Sequence, residues 1–145
     1  MQMQQKMRVE KQVMSKARWL YVILGLVIMM ALGTVYSWSV FRLPVEVLYD
    51  VGTAQSGLPY MTALLFYSLF MFLTGRFFKD WSPRKTILTG TLLVSVGWIL
   101  SAFAPNIQTL TIAYGVISGA GVGIAYGAPL TVVTRWFPEK KGIVI

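Results

Sequence analysis

Three uncharged runs divide the chain, Trp19 to Phe41, Val51 to Gly75 and Thr86 to Thr134, and short clusters of charged residues separate them. An α-helix rises about 1.5 Å per residue and must cross roughly 30 Å of hydrocarbon, so one span needs about 20 apolar residues. The first two runs each supply one span. The third is 49 residues long and supplies two. Its break is expected at Ala104-Pro105-Asn106, where the proline removes a backbone donor and restrains the residue before it. The pattern therefore predicts an N-terminal tail of residues 1–18 and then spans over 19–41, 54–75, 86–104 and 109–134, all within a unit of residues 19–145. The first run is too long for the apolar core of a signal peptide and ends in Trp38 and Phe41 rather than at a small-residue cleavage site, so it is expected to persist as a helix. After Pro138 and Glu139, which suit a first helical turn, the chain turns apolar at Ile143-Val144-Ile145. A fifth span is thus expected to begin near residue 142, in a chain that is the truncated N-terminal part of a longer one.

Charge adds orientation. Residues 1–18 carry Lys6, Arg8, Lys11, Lys16 and Arg18, residues 76–85 carry Arg76, Lys79, Arg84 and Lys85, and residues 135–141 carry Arg135, Lys140 and Lys141. Only Arg42 lies in none of these three groups, in the 42–50 segment that also holds Glu46 and Asp50 and is expected to be a loop. Cytoplasmic loops retain Lys and Arg, so the N-terminus is expected in the cytoplasm, in a multi-pass protein of the cell (inner or plasma) membrane. The net charge of +8 needs no nucleic acid, because the basic groups flank spans where topology and anionic lipid account for them. A composition of 56% hydrophobic and 12% charged residues is that of a membrane protein, a soluble domain having about a quarter charged. With neither cysteine nor histidine, disulfides, thiolate metal sites and imidazole ligands are all excluded, and no metal or cofactor is expected. No nucleophile-base or phosphate-cradling constellation is present, so the chain is not expected to be an enzyme.

Within the spans, Gly115, Gly119, Gly123 and Gly127 recur every four residues in the fourth, with Gly121 beside them. In lipid, where helices gain nothing from hydrophobic association, such a bare face lets backbones approach closely. It serves either packing alone or packing combined with the sliding of neighbouring helices during a transport cycle. Trp38 suits an interfacial aromatic belt. Tyr36, Tyr67 and Tyr126 lie deeper and each offers a hydroxyl that needs a partner inside the membrane, either as a packing residue or as a ligand group. No predicted span holds Asp, Glu, Lys, Arg or His, the residues that commonly mark ion and proton pathways.

Three segments together resemble the major facilitator superfamily, and within it the oxalate/formate antiporter family. They are Gly33-Thr34-Val35-Tyr36-Ser37-Trp38-Ser39-Val40-Phe41-Arg42-Leu43-Pro44, then Gly75-Arg76-Phe77-Phe78-Lys79-Asp80-Trp81-Ser82-Pro83-Arg84-Lys85, and finally Gly123-Ile124-Ala125-Tyr126-Gly127-Ala128-Pro129 with Arg135-Trp136-Phe137-Pro138-Glu139-Lys140-Lys141-Gly142. The second stands where the superfamily places its signature between helices 2 and 3. With Gly75, Arg76, Pro83 and Arg84 in register, Lys79 occupies the usual Asp position, Asp80 the usual basic position and Ser82 the usual glycine. Either Asp80 still latches the cytoplasmic side from one position further on, or the loop only reverses the chain.

The resemblance implies an all-α membrane protein, the first four transmembrane helices of a 12-helix fold built as two six-helix bundles, with substrate at mid-membrane between them. It implies a secondary transporter, an antiporter of small organic anions of the oxalate/formate or other monocarboxylate or dicarboxylate type, working by alternating access. The partners it implies are the anion, the lipid bilayer and the missing C-terminal helices of the same protein. Tyr36 and Tyr126 would then face the central cavity, with anion-balancing basic groups in the second bundle. The alternative is a small four-helix membrane protein acting as an oligomeric scaffold or drug exporter. The exporter class resembles proteins with a glutamate in the first span, which residues 19–41 lack, and a scaffold leaves the three family-like segments unexplained.

Overall fold

The computed structural model describes residues 19–20, 22–77 and 81–136, with side chains described through Pro129 and at Val132. Four helices in it are long and apolar enough to cross a membrane. Helix α1 is Val22–Tyr49, α2 is Thr53–Phe77 and α3 is Pro83–Ala102. Helix α4 runs continuously through Ile107–Leu110, the π-helical Thr111–Ser118 and Gly119–Trp136. No strand occurs among the described residues.

Local chemistry sets the helix ends. Ser82 caps α3 by accepting from the Lys85 backbone N–H at 3.4 Å, and Pro83 follows at a first-turn position where its missing donor costs nothing. Asn106 caps α4, its Oδ1 accepting from the Thr109 backbone N–H at 2.8 Å and from the Thr109 hydroxyl at 2.9 Å. Residues 103–106 form the tight reversal between the two. At the far end of α1, Asp50 takes φ 50°, the left-handed cap conformation that asparagine and aspartate tolerate, and its N–H bonds to the Glu46 carbonyl.

Helix α1 departs from the expected span. It does not end at Phe41 but continues through Arg42, Pro44 and Glu46 to Tyr49, so the expected 42–50 loop is mostly helix. Pro44 denies a donor to the Val40 carbonyl, yet the helix continues past it to Tyr49, whose hydroxyl donates to the Ala104 carbonyl at 2.8 Å, and Arg42 and Glu46 pair one turn apart at 3.2 Å. Earlier, Gly33–Ser37 tightens into a 3-10 turn. This lies opposite the π-helical stretch of α4, and Tyr114 from that stretch donates to the Val35 carbonyl at 3.2 Å. One helix is locally overwound and its neighbour underwound where they touch.

Helix α4 sits between α2 and α3, and its glycines set both contacts. A methyl group at Gly119 would lie 2.7 Å from the Ala63 carbonyl oxygen, and one at Gly115 would lie 2.7 Å from Thr62 Cβ, both on α2. One at Gly123 would lie 2.9 Å from the Met71 nitrogen. On the opposite face, a methyl at Gly121 would lie 2.7 Å from both the Gly90 oxygen and the Val94 nitrogen of α3. Helix α3 answers in kind, since a methyl at its Gly97 would come within 2.7 Å of the Ser118 nitrogen. The spacing of four thus faces α2, and Gly121 faces α3. Gly127 has nothing described within 4 Å of such a methyl. Contact of this closeness replaces side-chain volume with backbone dispersion, the route to helix association where the solvent is hydrocarbon.

Candidate functional site

Two buried clusters pin α1 to this three-helix core. Leu32, Val122 and Ala125 form one, with Ile28, Tyr67, Val94 and Tyr126 packed on it. Val35, Trp38, Ala63, Leu110 and Tyr114 form the other. Between them they fix the rotation of α1 and leave Tyr36 on its exposed side.

The structure brings the three tyrosines singled out from the sequence together. The rings of Tyr67 on α2 and Tyr126 on α4 meet edge to face with centroids 5.4 Å apart. Tyr36 on α1 lies close enough to Tyr67 to interact with its hydroxyl, as Tyr126 does. Both Tyr67 and Tyr126 are half-buried, whereas Tyr36 is 56% exposed. Tyr36 and Tyr126, from two other helices, therefore flank Tyr67, with Tyr36 on the open side. Each hydroxyl can donate one hydrogen bond and accept others, so the group can serve an anion or bond within itself.

From Tyr36 a cavity of about 550 Å³ opens between α1 and α2 toward the helix ends remote from Arg76, Arg84 and Lys85. Its walls include Tyr36, Ser39, Arg42, Glu46, Thr53 and Tyr60. Arg42 Nε donates to Glu46 Oε1 at 3.2 Å and to Ser56 Oγ at 3.3 Å, and Nη2 donates to the Thr53 carbonyl at 3.3 Å. The Ser56 hydroxyl donates to Glu46 Oε1 at 2.6 Å. This network clips the end of α1 to the first turn of α2. Sequence reasoning placed Arg42 and Glu46, with Asp50, in a loop because these charges stand between two uncharged runs. Their spacing of four was the available signal.

Trp38 corrects the expectation of an interfacial ring. It is 6% exposed, its Nε1 donates to the Ser56 carbonyl at 2.9 Å, and its ring lies 4.6 Å from that of Tyr114. Tyr114 and Trp98, whose rings are 5.6 Å apart, complete an aromatic cluster that carried no sequence signal beyond composition. The cytoplasmic-loop signature is split. Gly75 and Arg76 occupy the last turn of α2, and Pro83 and Arg84 the first turn of α3. Lys79 and Asp80 lie outside the described residues, as do the tail of residues 1–18 and the expected fifth span near 142. Among the described residues no group of His, Cys, Asp or Glu could hold a metal ion.

Comparison with known proteins places this geometry. The oxalate:formate antiporter of Oxalobacter formigenes is 30% identical over 127 residues, covering 87% of this chain and 30% of that protein. Monocarboxylate transporter 14 of Mus musculus is 39% identical over 69 residues, 48% of this chain and 14% of that protein. Apicoplast pyruvate carrier 1 of Toxoplasma gondii is 40% identical over 67 residues, 46% of this chain and 12% of that protein. The chain spans under a third of the length of the curated relatives it matches. Residues 22–145 match the family model of the Major Facilitator Superfamily, so this chain, with four spanning helices among its described residues, belongs to that family of multi-pass membrane transporters and is not an enzyme.

Proposed function

We propose that this chain forms the first four helices of a secondary transporter that exchanges small organic anions by alternating access. The observation that carries the reading is the convergence of Tyr36, Tyr67 and Tyr126 from three helices onto one wall that is open at Tyr36. Neutral hydroxyls of this kind suit a carboxylate whose charge is balanced elsewhere, because they supply hydrogen bonds without the desolvation cost of a buried ion. The relatives named above support the substrate class, being named for oxalate, formate, pyruvate and monocarboxylates. The balancing cation, on this reading, belongs to helices outside these four. The N-terminus and the Arg76 to Lys85 loop face the cytoplasm of a cell in whose plasma or inner membrane the protein resides.

In the transport cycle the bundle containing α1 to α4 rocks as a body against a second bundle. The close contacts of Gly115, Gly119 and Gly123 with α2 keep α2 and α4 together through that motion, so Tyr67 and Tyr126 move as one piece. The test is counterflow of labelled oxalate, formate and pyruvate by the full-length protein in proteoliposomes. Exchange of at least one carboxylate is expected, with KM raised about tenfold by Tyr67→Phe, the loss of one hydrogen bond to a charged ligand. No exchange of any carboxylate by the wild type would overturn the reading.

A further inference from the structure

Arg42 is the one basic side chain at its end of the described helices, and the arrangement around it is unlike that of a purely structural ion pair. The guanidinium reaches Glu46 through Nε alone, at 3.2 Å, and its contacts with Ser56 and Thr53 are 3.3 Å. Charge-assisted contacts of a well-seated Arg–carboxylate pair are nearer 2.7–2.9 Å and commonly use two parallel N–H groups. Among the described hydrogen bonds, that two-pronged face is not filled by Glu46. Glu46 has its short contact elsewhere, 2.6 Å from the Ser56 hydroxyl, which would stay in place if Arg42 let go. The Arg42 side chain is 40% exposed against 20% for Glu46, and it borders the cavity of about 550 Å³ whose wall continues through Ser39 and Tyr60 to Tyr36.

We propose that Arg42 is an entry site for a small carboxylate on the side opposite the Arg76 to Lys85 loop, where the incoming anion replaces Glu46 on the guanidinium before passing inward to the tyrosines. The proposal rests on the carboxylate-transport reading and deepens it. Glu46 acts as a resident surrogate. It neutralises Arg42 while the site is empty, so the charge is never left uncompensated near the membrane, and it retreats onto Ser56 when a substrate carboxylate arrives. Tyr36, exposed beside the cavity and in contact with Tyr67, links the entry site to the tyrosine wall.

The test uses the absence of cysteine from this chain. Ser39→Cys, placed in the cavity wall of an otherwise cysteine-free full-length protein, is labelled with a membrane-impermeant maleimide in sodium formate, sodium oxalate or sodium chloride at equal ionic strength. Formate or oxalate is expected to slow labelling several-fold and chloride is not. Arg42→Gln is expected to abolish the protection, Arg42→Lys to retain part of it as a point charge, and Glu46→Gln to give the same protection at roughly tenfold lower anion concentration. The labelling rate without anion, unchanged by these substitutions, reports that the fold is intact. Absence of protection by both carboxylates, protection that survives Arg42→Gln, or equal protection by chloride would overturn the proposal. Labelling reads binding without flux, so protection through Arg42 in a protein that exchanges no carboxylate would sink the transport reading and leave this site standing. Exchange by a protein whose labelling ignores Arg42 would do the reverse.

Discussion

Helices α1 and α4 are both apolar enough to span a membrane, and their surroundings are opposite. In the most apolar stretch of α4 61% of residues are buried within the bundle, against 22% for α1, although α1 is the more apolar of the two. Among soluble proteins that ordering would be reversed, because there the most apolar segment is driven inward. Within these four helices hydrophobicity does not decide which one takes the centre, because lipid is as apolar as leucine. Residue size does. Small residues, among them Gly115, Ser118, Gly119, Ala120, Gly121, Gly123 and Ala125, make up most of the buried positions of α4, beside Leu110, Tyr114, Val122 and Ile124, whereas α1 turns Leu24, Leu26, Val27 and Met30 outward. The central helix is the one that can be approached to backbone contact from two sides.

The largest test of that contrast exchanges one glycine in each helix. Gly119→Ala places a methyl 2.7 Å from the Ala63 carbonyl oxygen and 2.9 Å from its Cα, both backbone atoms that cannot swing away. The helices must part, at a cost of about 3 kcal/mol, the upper range for overpacking. Gly33→Ala in α1 meets nothing within 4 Å among the described residues and is expected to be neutral, or to stabilise by about 0.5 kcal/mol through reduced freedom of the unfolded chain. Thermal unfolding of the full-length protein in detergent measures both. Equal shifts for the two would mean that α4 is not held by its glycines.

Four spans were legible in the sequence because charge avoidance over 20 residues has few other causes. The glycine spacing was legible as well, but its partner was not, since Gly119 could have faced any neighbouring helix until Ala63 was found against it. What sequence reading missed lies where local signals compete with tertiary contacts. The charged segment 42–50 read as a loop, yet it is helical to Tyr49, with the Arg42–Glu46 pair one turn apart and the Tyr49 bond to Ala104 at its end. Trp38 read as an interfacial ring because indole is at home at headgroup level, and nothing in the sequence revealed that the Ser56 carbonyl would take its N–H. The three tyrosines were nameable one by one. Their meeting depended on how three helices cross, which a period along one chain does not encode.

A smaller effect distinguishes the two helices where they touch. The 3-10 turn of α1 and the π-helical stretch of α4 are joined by the Tyr114 hydroxyl on the Val35 carbonyl at 3.2 Å, a bond out of reach of water with Tyr114 2% exposed. Tyr114→Phe keeps the ring packed between Trp38 and Trp98 and removes only the donor, so about 1 kcal/mol of stability is expected to be lost. Backbone amide exchange localises the effect: faster exchange confined to the segments around Val35 and Tyr114 is expected. A uniform change along α1 would instead mean that the two irregular segments are independent of their contact.

The smallest expected stability effect is at Tyr36, and there the contrast between the helices becomes one between structure and use. Tyr36 belongs to the outward, exposed side of α1, as its leucines do, yet it alone presents a hydroxyl beside both the cavity and Tyr67. If α1 is held through Leu32, Val35, Trp38 and its end contacts rather than through Tyr36, Tyr36→Phe is expected to leave thermal stability within about 0.5 kcal/mol of wild type, the ordinary range for a surface change. The same substitution is expected to raise the KM for carboxylate in the counterflow assay several-fold, since a hydroxyl that bonds the anion is lost while the ring is kept. A large stability loss would place Tyr36 with the packing residues of α4. Unchanged stability together with unchanged KM would leave its hydroxyl without a role in either, and the tyrosine wall would then begin at Tyr67.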